Sequence, residues 1–412
     1  MNSKIQIKNK LTLNNIIILL LVCMATMNVI NRYFYFIFIA VGWFCLKPNR
    51  KIVIDGIACF SLILLAVSWL MFSPEDALEG FGILKPFTYF LCYVLGTSLL
   101  NDDRNHSNQS VSYYLFYFLL AVIALGPFIH YLLNWSINAS VVNDRNTRDF
   151  WTNSVMSATG QASLGCIPLA VAAACIFSDT SKKLKLASWI SIVLVLGYNL
   201  ILSGRTLFVL ALIALVAAFL FRFMTKKRGK LHLLVIFIVI AIFLVVLYQS
   251  DIFGIKTYVE DSPIYDRFFG KSSSIDLDED ARLDNKLYFI ENMLDYPFGG
   301  GHLQDQTGYA HDLYLDTYDQ AGIFAFIAVV VFMLNSLKHF VKCISNKEFP
   351  FVFRQLVFCT YLILYIEFLV EPVLVGMPWM FASFCLLDGY VGRLLKHSQY
   401  VKRWRANTGG NA

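Results

Sequence analysis

The groups in this chain best suited to chemistry are several arginines and one histidine placed at the ends of apolar runs. Arg205, in NLILSGRTLFVLALIALV, opens such a run. Its planar guanidinium fork suits a phosphate or carboxylate held by two parallel hydrogen bonds. The plain alternative is an interfacial arginine reaching for lipid headgroups. Arg145 and Arg148, in NDRNTRDFWTNS, add a basic pair, and Arg267, Arg282 and Lys286 add charge further on. Asp144, Asp149, Asp280 and Asp284 stand close enough in sequence to neutralise them, which would leave only weak surface pairs.

His311 and Asp312 lie in GYAHDLYLDTYDQAGIFAF. An imidazole, with an ordinary pKa of about 6.5, can take a proton from a hydroxyl or hydrogen-bond a phosphate oxygen. His302 and Asp312 form at most a weak metal signal, two unlike ligands around a loop, and no HExxH pattern occurs. Gly299 to Gly301 lack the spacing of a nucleotide-binding loop and read as a turn that lets a ligand or helix approach the backbone. Lys85 beside Pro86, Glu367 and Glu371 are the remaining charges in or beside apolar runs, where they would line a substrate path.

The elements that must position these groups follow from composition. Of 412 residues, 58% are hydrophobic and 15% charged, too little polar surface for a soluble domain of that size. A bilayer core needs about twenty apolar residues per helical span. Runs of that kind lie near 12–30, 33–46, 52–72, 81–100, 111–133, 156–178, 186–203, 206–222, 231–248, 318–336, 351–370 and 378–394. They are continuous rather than alternating, which selects helices over a barrel. The expected fold is all-α: a polytopic membrane helical bundle of about twelve transmembrane helices. The first run lacks a small-residue cleavage site and is read as a span, not a signal peptide.

Basic clusters set the orientation. Lys4, Lys8 and Lys10 put the N-terminus in the cytoplasm, and an even number of spans returns Lys182/Lys183/Lys185, Lys226/Lys227/Arg228/Lys230, Lys338/Lys342/Lys347 and Lys396/Lys402/Arg403/Arg405 to that side. Both termini are therefore expected in the cytoplasm, and the net charge of +6 is a topology signal rather than a nucleic-acid footprint. The nine cysteines are scattered singly, with no disulfide framework and no paired metal spacing.

This divides the chain into spans one to nine (1–248), a large outer loop (249–317), spans ten to twelve (318–394) and a cytoplasmic tail (395–412). A second long outer loop covers about 134–154. Loops of such length are more often functional than idle. Within the larger one, Leu283, Leu287, Ile290 and Leu294 recur at helical spacing and predict an amphipathic helix, stopped by Pro297 and the glycines, that lies on the membrane surface or caps the bundle. No internal repeat or inverted symmetry is visible.

Three stretches in this order resemble the O-antigen ligase and O-antigen polymerase superfamily of bacterial envelope glycosyltransferases. They are SATGQASLGCIPLA, with Thr159 and Gly160 opening the sixth span; SGRTLFVLALIALV, with Thr206 where the family often has Gly; and YPFGGGHLQDQTGYAHDLYLDTYDQAGIFAF, with His311, Leu313 and Gly322. The resemblance implies a GT-C-like bundle in the bacterial inner membrane, with its large loop and active face in the periplasm. It implies a metal-independent transfer, without cofactor, of a glycan from undecaprenyl pyrophosphate to lipid A-core (ligase) or to another lipid-linked repeat unit (polymerase). Diphosphate leaves with growing charge, so positioned donors do much of the catalysis. By this resemblance Arg205 and Arg282 would hold the diphosphate. His311 would activate the acceptor hydroxyl or help bind phosphate, Arg145 or Arg148 would clamp glycan or lipid headgroup, and Asp312 would join the substrate contacts. Partners would be the lipid-linked oligosaccharide, the acceptor, membrane lipids and a chain-length regulator; no nucleic acid is expected.

The reading leans to a polymerase, because no distinct basic patch for docking lipid A appears on the outer face. A ligase is the alternative. A transporter or flippase of lipid-linked glycans is the reading of a different class, but such proteins usually show pseudo-symmetric halves and midplane binding residues, whereas here the candidates concentrate at the outer surface.

Overall fold

The computed structural model describes residues 13–29, 34–45, 55–100, 109–139, 146–202, 204–225, 260, 265 and 281–407. Helices α1 (Leu13–Thr26), α2 (Phe34–Cys45), α3 (Gly56–Phe72), α4 (Glu75–Leu78), α5 (Lys85–Ser98) and α6 (Gln109–Ile137) precede a two-stranded hairpin, β1 (Asn146–Arg148) and β2 (Val155–Ser157). Then come α7 (Ala158–Ile176), α8 (Lys182–Ile201), α9 (Arg205–Thr225), α10 (Ala281–Asn292), α11 (His302–Thr307), α12 (Leu313–Ser345), α13 (Phe351–Val370), α14 (Val373–Gly376) and α15 (Pro378–Asn407). The protein is a helical membrane protein.

Among the described residues six helices are long and apolar enough to cross a membrane: Ser112–Ile137, Ala158–Ile176, Lys182–Ile201, Arg205–Thr225, Leu313–Ser345 and Phe351–Val370. Leu13–Thr26, Tyr35–Cys45 and Gly56–Phe72 are shorter apolar helices. Helices occur at eleven of the twelve segments expected from sequence; the other, 231–248, lies outside the described residues, as do Arg145 and Arg267. Several expected boundaries fall inside helices. α12 starts at Leu313, before 318, and α15 runs past 394 to Asn407, because a hydropathy count sees where apolarity stops and not where helical hydrogen bonding does.

Outward faces are apolar, as lipid requires. Leu186, Ile190 and Val193 on α8 are exposed at helical spacing, and so are Phe60, Ile63, Val67 and Met71 on α3. Inside, α7 packs against α6, α8, α9 and α13. Its Ala-rich sequence leaves nearly every residue buried, and small residues are what allow close helix approach in lipid. α5 lies along α15 so closely that a Cβ on Gly96 would meet the Leu386 carbonyl oxygen at 2.2 Å, and one on Gly389 the Tyr93 carbonyl oxygen at 2.2 Å.

α3 lies along α12, and at the end of α12 remote from His311 a polar network joins four helices. His339 Nδ1 lies 3.1 Å from Asp388 Oδ2, whose other oxygen accepts from Ser336 Oγ and Tyr361 OH. His339 Nε2 and Lys396 Nζ both face Asp55, the N-cap of α3, at 3.7 and 3.3 Å. A half-made network here would leave buried charge unpaired, so these contacts fix the register of the four helices.

Candidate active site

The site is built from the start of α12. Asp312 is the N-cap, its Oδ1 accepting from the Tyr314 and Leu315 amides at 2.9 and 3.2 Å. One turn on, the buried Asp316 carboxylate accepts from the Ala310 amide at 2.8 Å and the Asp312 amide at 2.9 Å. The residue between those amides is His311, whose φ of 54° is left-handed, an uncommon state for a residue with a Cβ. Two hydrogen bonds to one carboxylate hold it there. Strain kept in place by its surroundings is typical of functional sites.

The first part of α12 is positioned by a second device. At Gly322 (φ 76°, ψ −174°) the helix breaks and restarts. The Gly299–Gly301 turn fits into that break. Gly301 N donates to Asp319 O at 2.8 Å and Ile323 N to Pro297 O at 2.9 Å. The Asp319 carboxylate receives the Leu303 and Gln304 amides at 2.8 and 3.2 Å. The glycine turn thus receives a helix rather than a ligand, and His302 stacks on Tyr296, away from Asp312.

α10 then docks on the C-terminal end of α13. Arg282 donates to the Val370 carbonyl at 3.2 Å and Lys286 to the Leu369 carbonyl at 2.7 Å, cations completing the unsatisfied end of a helix. Arg282 also reaches Glu371 Oε1 at 3.5 Å, and His311 Nδ1 lies 3.8 Å from Glu371 Oε2. Glu371 is 2% exposed, whereas Arg282 and His311 keep part of their side chains in solvent. On α13, Glu367 is fully buried and accepts from Ser163 Oγ.

The opposite wall comes from the hairpin loop. Asn134 on α6 accepts the Phe150 amide at 2.8 Å, Asn138 accepts the Arg148 amide at 2.9 Å, and Gln161 on α7 donates to Thr147 Oγ1 at 3.0 Å. So fixed, the loop places Asp149 Oδ2 2.7 Å from His130 Nε2 on α6, while Asp149 Oδ1 accepts the Trp151 and Thr152 amides and the Thr152 hydroxyl, each at 2.9 Å. Burial raises the Asp149 pKa, but the His130 bond and charge and the Thr152 donors outweigh it and hold the carboxyl at about 2.

Between these walls lies a cavity of about 320 Å³ lined by His130, Asp149, Thr159, Gly160, Tyr309, His311, Glu371 and Trp379, among others. Two loops far apart in sequence thus meet around one space with two histidine–carboxylate pairs. Among the described residues no group of three or more His, Cys, Asp or Glu side chains is placed to hold a metal ion.

Of the residues singled out in the sequence, His311 lines the cavity and Arg282 reaches it through Glu371. Asp312 caps α12 and faces Lys286 at 3.5 Å. Arg148 is exposed on β1 and donates to Asn153, and Arg205 opens α9. Neither is among the cavity's lining residues. Among the described residues Asp149 pairs with His130, and Arg282 reaches Glu371; Asp144 and Asp280 lie outside the described residues. Sequence reasoning missed His130. A lone histidine in an apolar run, GPFIHYLLNW, gives no signal until the loop folds its carboxylate onto it.

Residues 186–330 match a family model described as O-antigen ligase. The match bears out the resemblance to the O-antigen ligase and polymerase superfamily, and covers its second and third stretches, with Arg205 and His311; the first stretch, at Thr159 and Gly160, lies before it. No curated protein matches the chain.

Proposed function

We propose that the protein is a membrane glycosyltransferase that moves a glycan from undecaprenyl pyrophosphate onto an acceptor hydroxyl at the periplasmic face of the inner membrane. The observation that carries this reading is the cavity where His311, held at φ 54°, faces the buried Glu371 with Arg282 on the same carboxylate. A glycosyl transfer needs a group to receive the acceptor's proton and donors for the departing diphosphate. His311 takes the proton or a phosphate oxygen, and Arg282 and Arg205 bind the diphosphate. Arg148 and Arg145 hold glycan or headgroup at the outer surface, and Asp312 orders the turn that carries His311. The chemistry is metal-independent in this reading, since a diphosphate needs no further activation to leave.

Two acceptors fit the donor. A second lipid-linked repeat unit makes the protein a polymerase, the reading taken from the sequence; lipid A-core makes it a ligase, which the description of the matched family favours. The lipopolysaccharide of a deletion strain separates them. Core carrying a single repeat unit marks a polymerase, and naked core with polymer retained on the carrier marks a ligase. Purified protein given a lipid-linked donor tests the reaction itself: transfer is expected from the wild type and its loss from His311→Ala and Arg205→Ala at unchanged folding. Full activity in both variants overturns the assignment.

A further inference from the structure

The cavity holds two imidazoles, and they are not equivalent. His311 Nδ1 is 3.8 Å from Glu371, beyond hydrogen-bond length, and that carboxylate is shared with Arg282. His130 Nε2 is 2.7 Å from Asp149 Oδ2. A carboxylate can only accept, so Nε2 carries the hydrogen, and in the neutral imidazole Nδ1 then carries the lone pair. Three further donors on Asp149 Oδ1 keep that carboxylate anionic and oriented. His130 is fully buried yet lines the cavity, and its Nδ1 has no hydrogen-bond partner among the described residues. A buried imidazole nitrogen left unpaired is costly unless something fills the place.

We propose that His130, oriented by Asp149, is the general base that accepts the proton of the acceptor hydroxyl, leaving His311 and Arg282 to serve the diphosphate. The inference rests on the glycosyltransferase reading. In the step, the acceptor oxygen forms its bond to the anomeric carbon as that carbon's bond to the diphosphate oxygen breaks. The electron pair leaves with the diphosphate, and the hydroxyl proton passes to His130 Nδ1. Asp149 stabilises the imidazolium through Nε2–H without itself taking the proton, the division of labour of a carboxylate behind a catalytic histidine. The other titratable groups lining the space are Tyr309, His311 and Glu371, on the opposite wall.

The test is transfer by the full-length protein in liposomes, from undecaprenyl-pyrophosphate-linked glycan, for wild type, His130→Gln, His130→Ala and His311→Ala, with donor binding measured separately by photo-crosslinking. Glutamine keeps a donor toward Asp149 and so preserves the loop, but it is no base. His130→Gln is expected to bind donor normally, to transfer about 100-fold more slowly and to lose the acid limb of the pH–rate profile. Added imidazole should restore part of the rate in His130→Ala, which a purely structural role would not allow. His311→Ala should instead weaken donor binding. A His130→Gln protein with wild-type rate and pH profile overturns the inference while leaving the glycosyltransferase reading intact. Absence of transfer by the wild type overturns both.

Discussion

Nδ1 of His311 lies 3.8 Å from one oxygen of Glu371, and the other oxygen of that carboxylate lies 3.5 Å from the Arg282 guanidinium. A single buried carboxylate, at the C-terminal end of α13, therefore ties a helix of the large loop to the turn that presents the histidine.

Replacing Glu371 by Gln keeps the shape and removes the charge shared by Arg282 and His311. Losing charge-assisted contacts of this kind costs about 1.5–3 kcal/mol, so transfer should fall about ten- to a hundredfold. Steady-state kinetics with a lipid-linked donor measures it. An unaltered rate would show that the carboxylate only fastens α10.

Gly322 and the Gly299 turn meet backbone to backbone. A Cβ on Gly322 would stand 2.7 Å from Phe298 Cα, and its φ of 76° is left-handed. Gly322→Ala should lower stability by roughly 1–3 kcal/mol and shift the start of α12, so activity should fall along with the unfolding temperature in detergent. An alanine variant with wild-type melting would mean that the break in α12 tolerates a side chain.

The hairpin loop should be sensitive to acid. Asp149 is held at about 2 against an ordinary 3.8, so its stabilisation is complete above the unfolded value and is lost as pH falls through the folded one. The effect is on the order of 2 kcal/mol. Hydrogen exchange across 146–157, corrected for intrinsic rates, should show protection falling between about pH 4 and pH 2. Asp149→Asn should already be less protected at neutral pH and lose no more on acidification.

Leu283, Leu287 and Ile290 on α10, and Leu294 just after it, are exposed, while Phe289 on the other face of α10 is buried. The stripe expected from sequence thus points away from the protein, which suits a helix lying on the bilayer surface. A fluorophore on a cysteine at 287 should be quenched by brominated lipid and one at 284 should not. Equal quenching at the two positions would place the helix off the membrane.

How much was legible in the sequence depended on how local the determinant was. The helical runs follow from continuous apolarity, and α10 from four residues at helical spacing. His311 stood out because a glycine-rich turn, Leu313 and Gly322 accompany it within one stretch that resembles the family. The His130–Asp149 pair did not, because its members are nineteen residues apart and only the docking of β1 and β2 on Asn134, Asn138 and Gln161 joins them. For the same reason Asp149 read as a partner for Arg148, its neighbour in sequence, although it follows β1 and turns its carboxylate to His130. The glycine turn read as a place for close approach, and close approach is what it provides; that the approaching backbone is Gly322 required the break in α12.

The cavity between the two loops is the proposed place of transfer of a lipid-linked glycan. The most direct test of that proposal is product formation by purified, reconstituted protein supplied with undecaprenyl-pyrophosphate-linked glycan and acceptor, wild type against His311→Ala. A new glycosidic bond is expected with the wild type, and its loss with folded His311→Ala. Equal product from the two proteins, or movement of the glycan across the liposome without bond formation, would contradict the proposal.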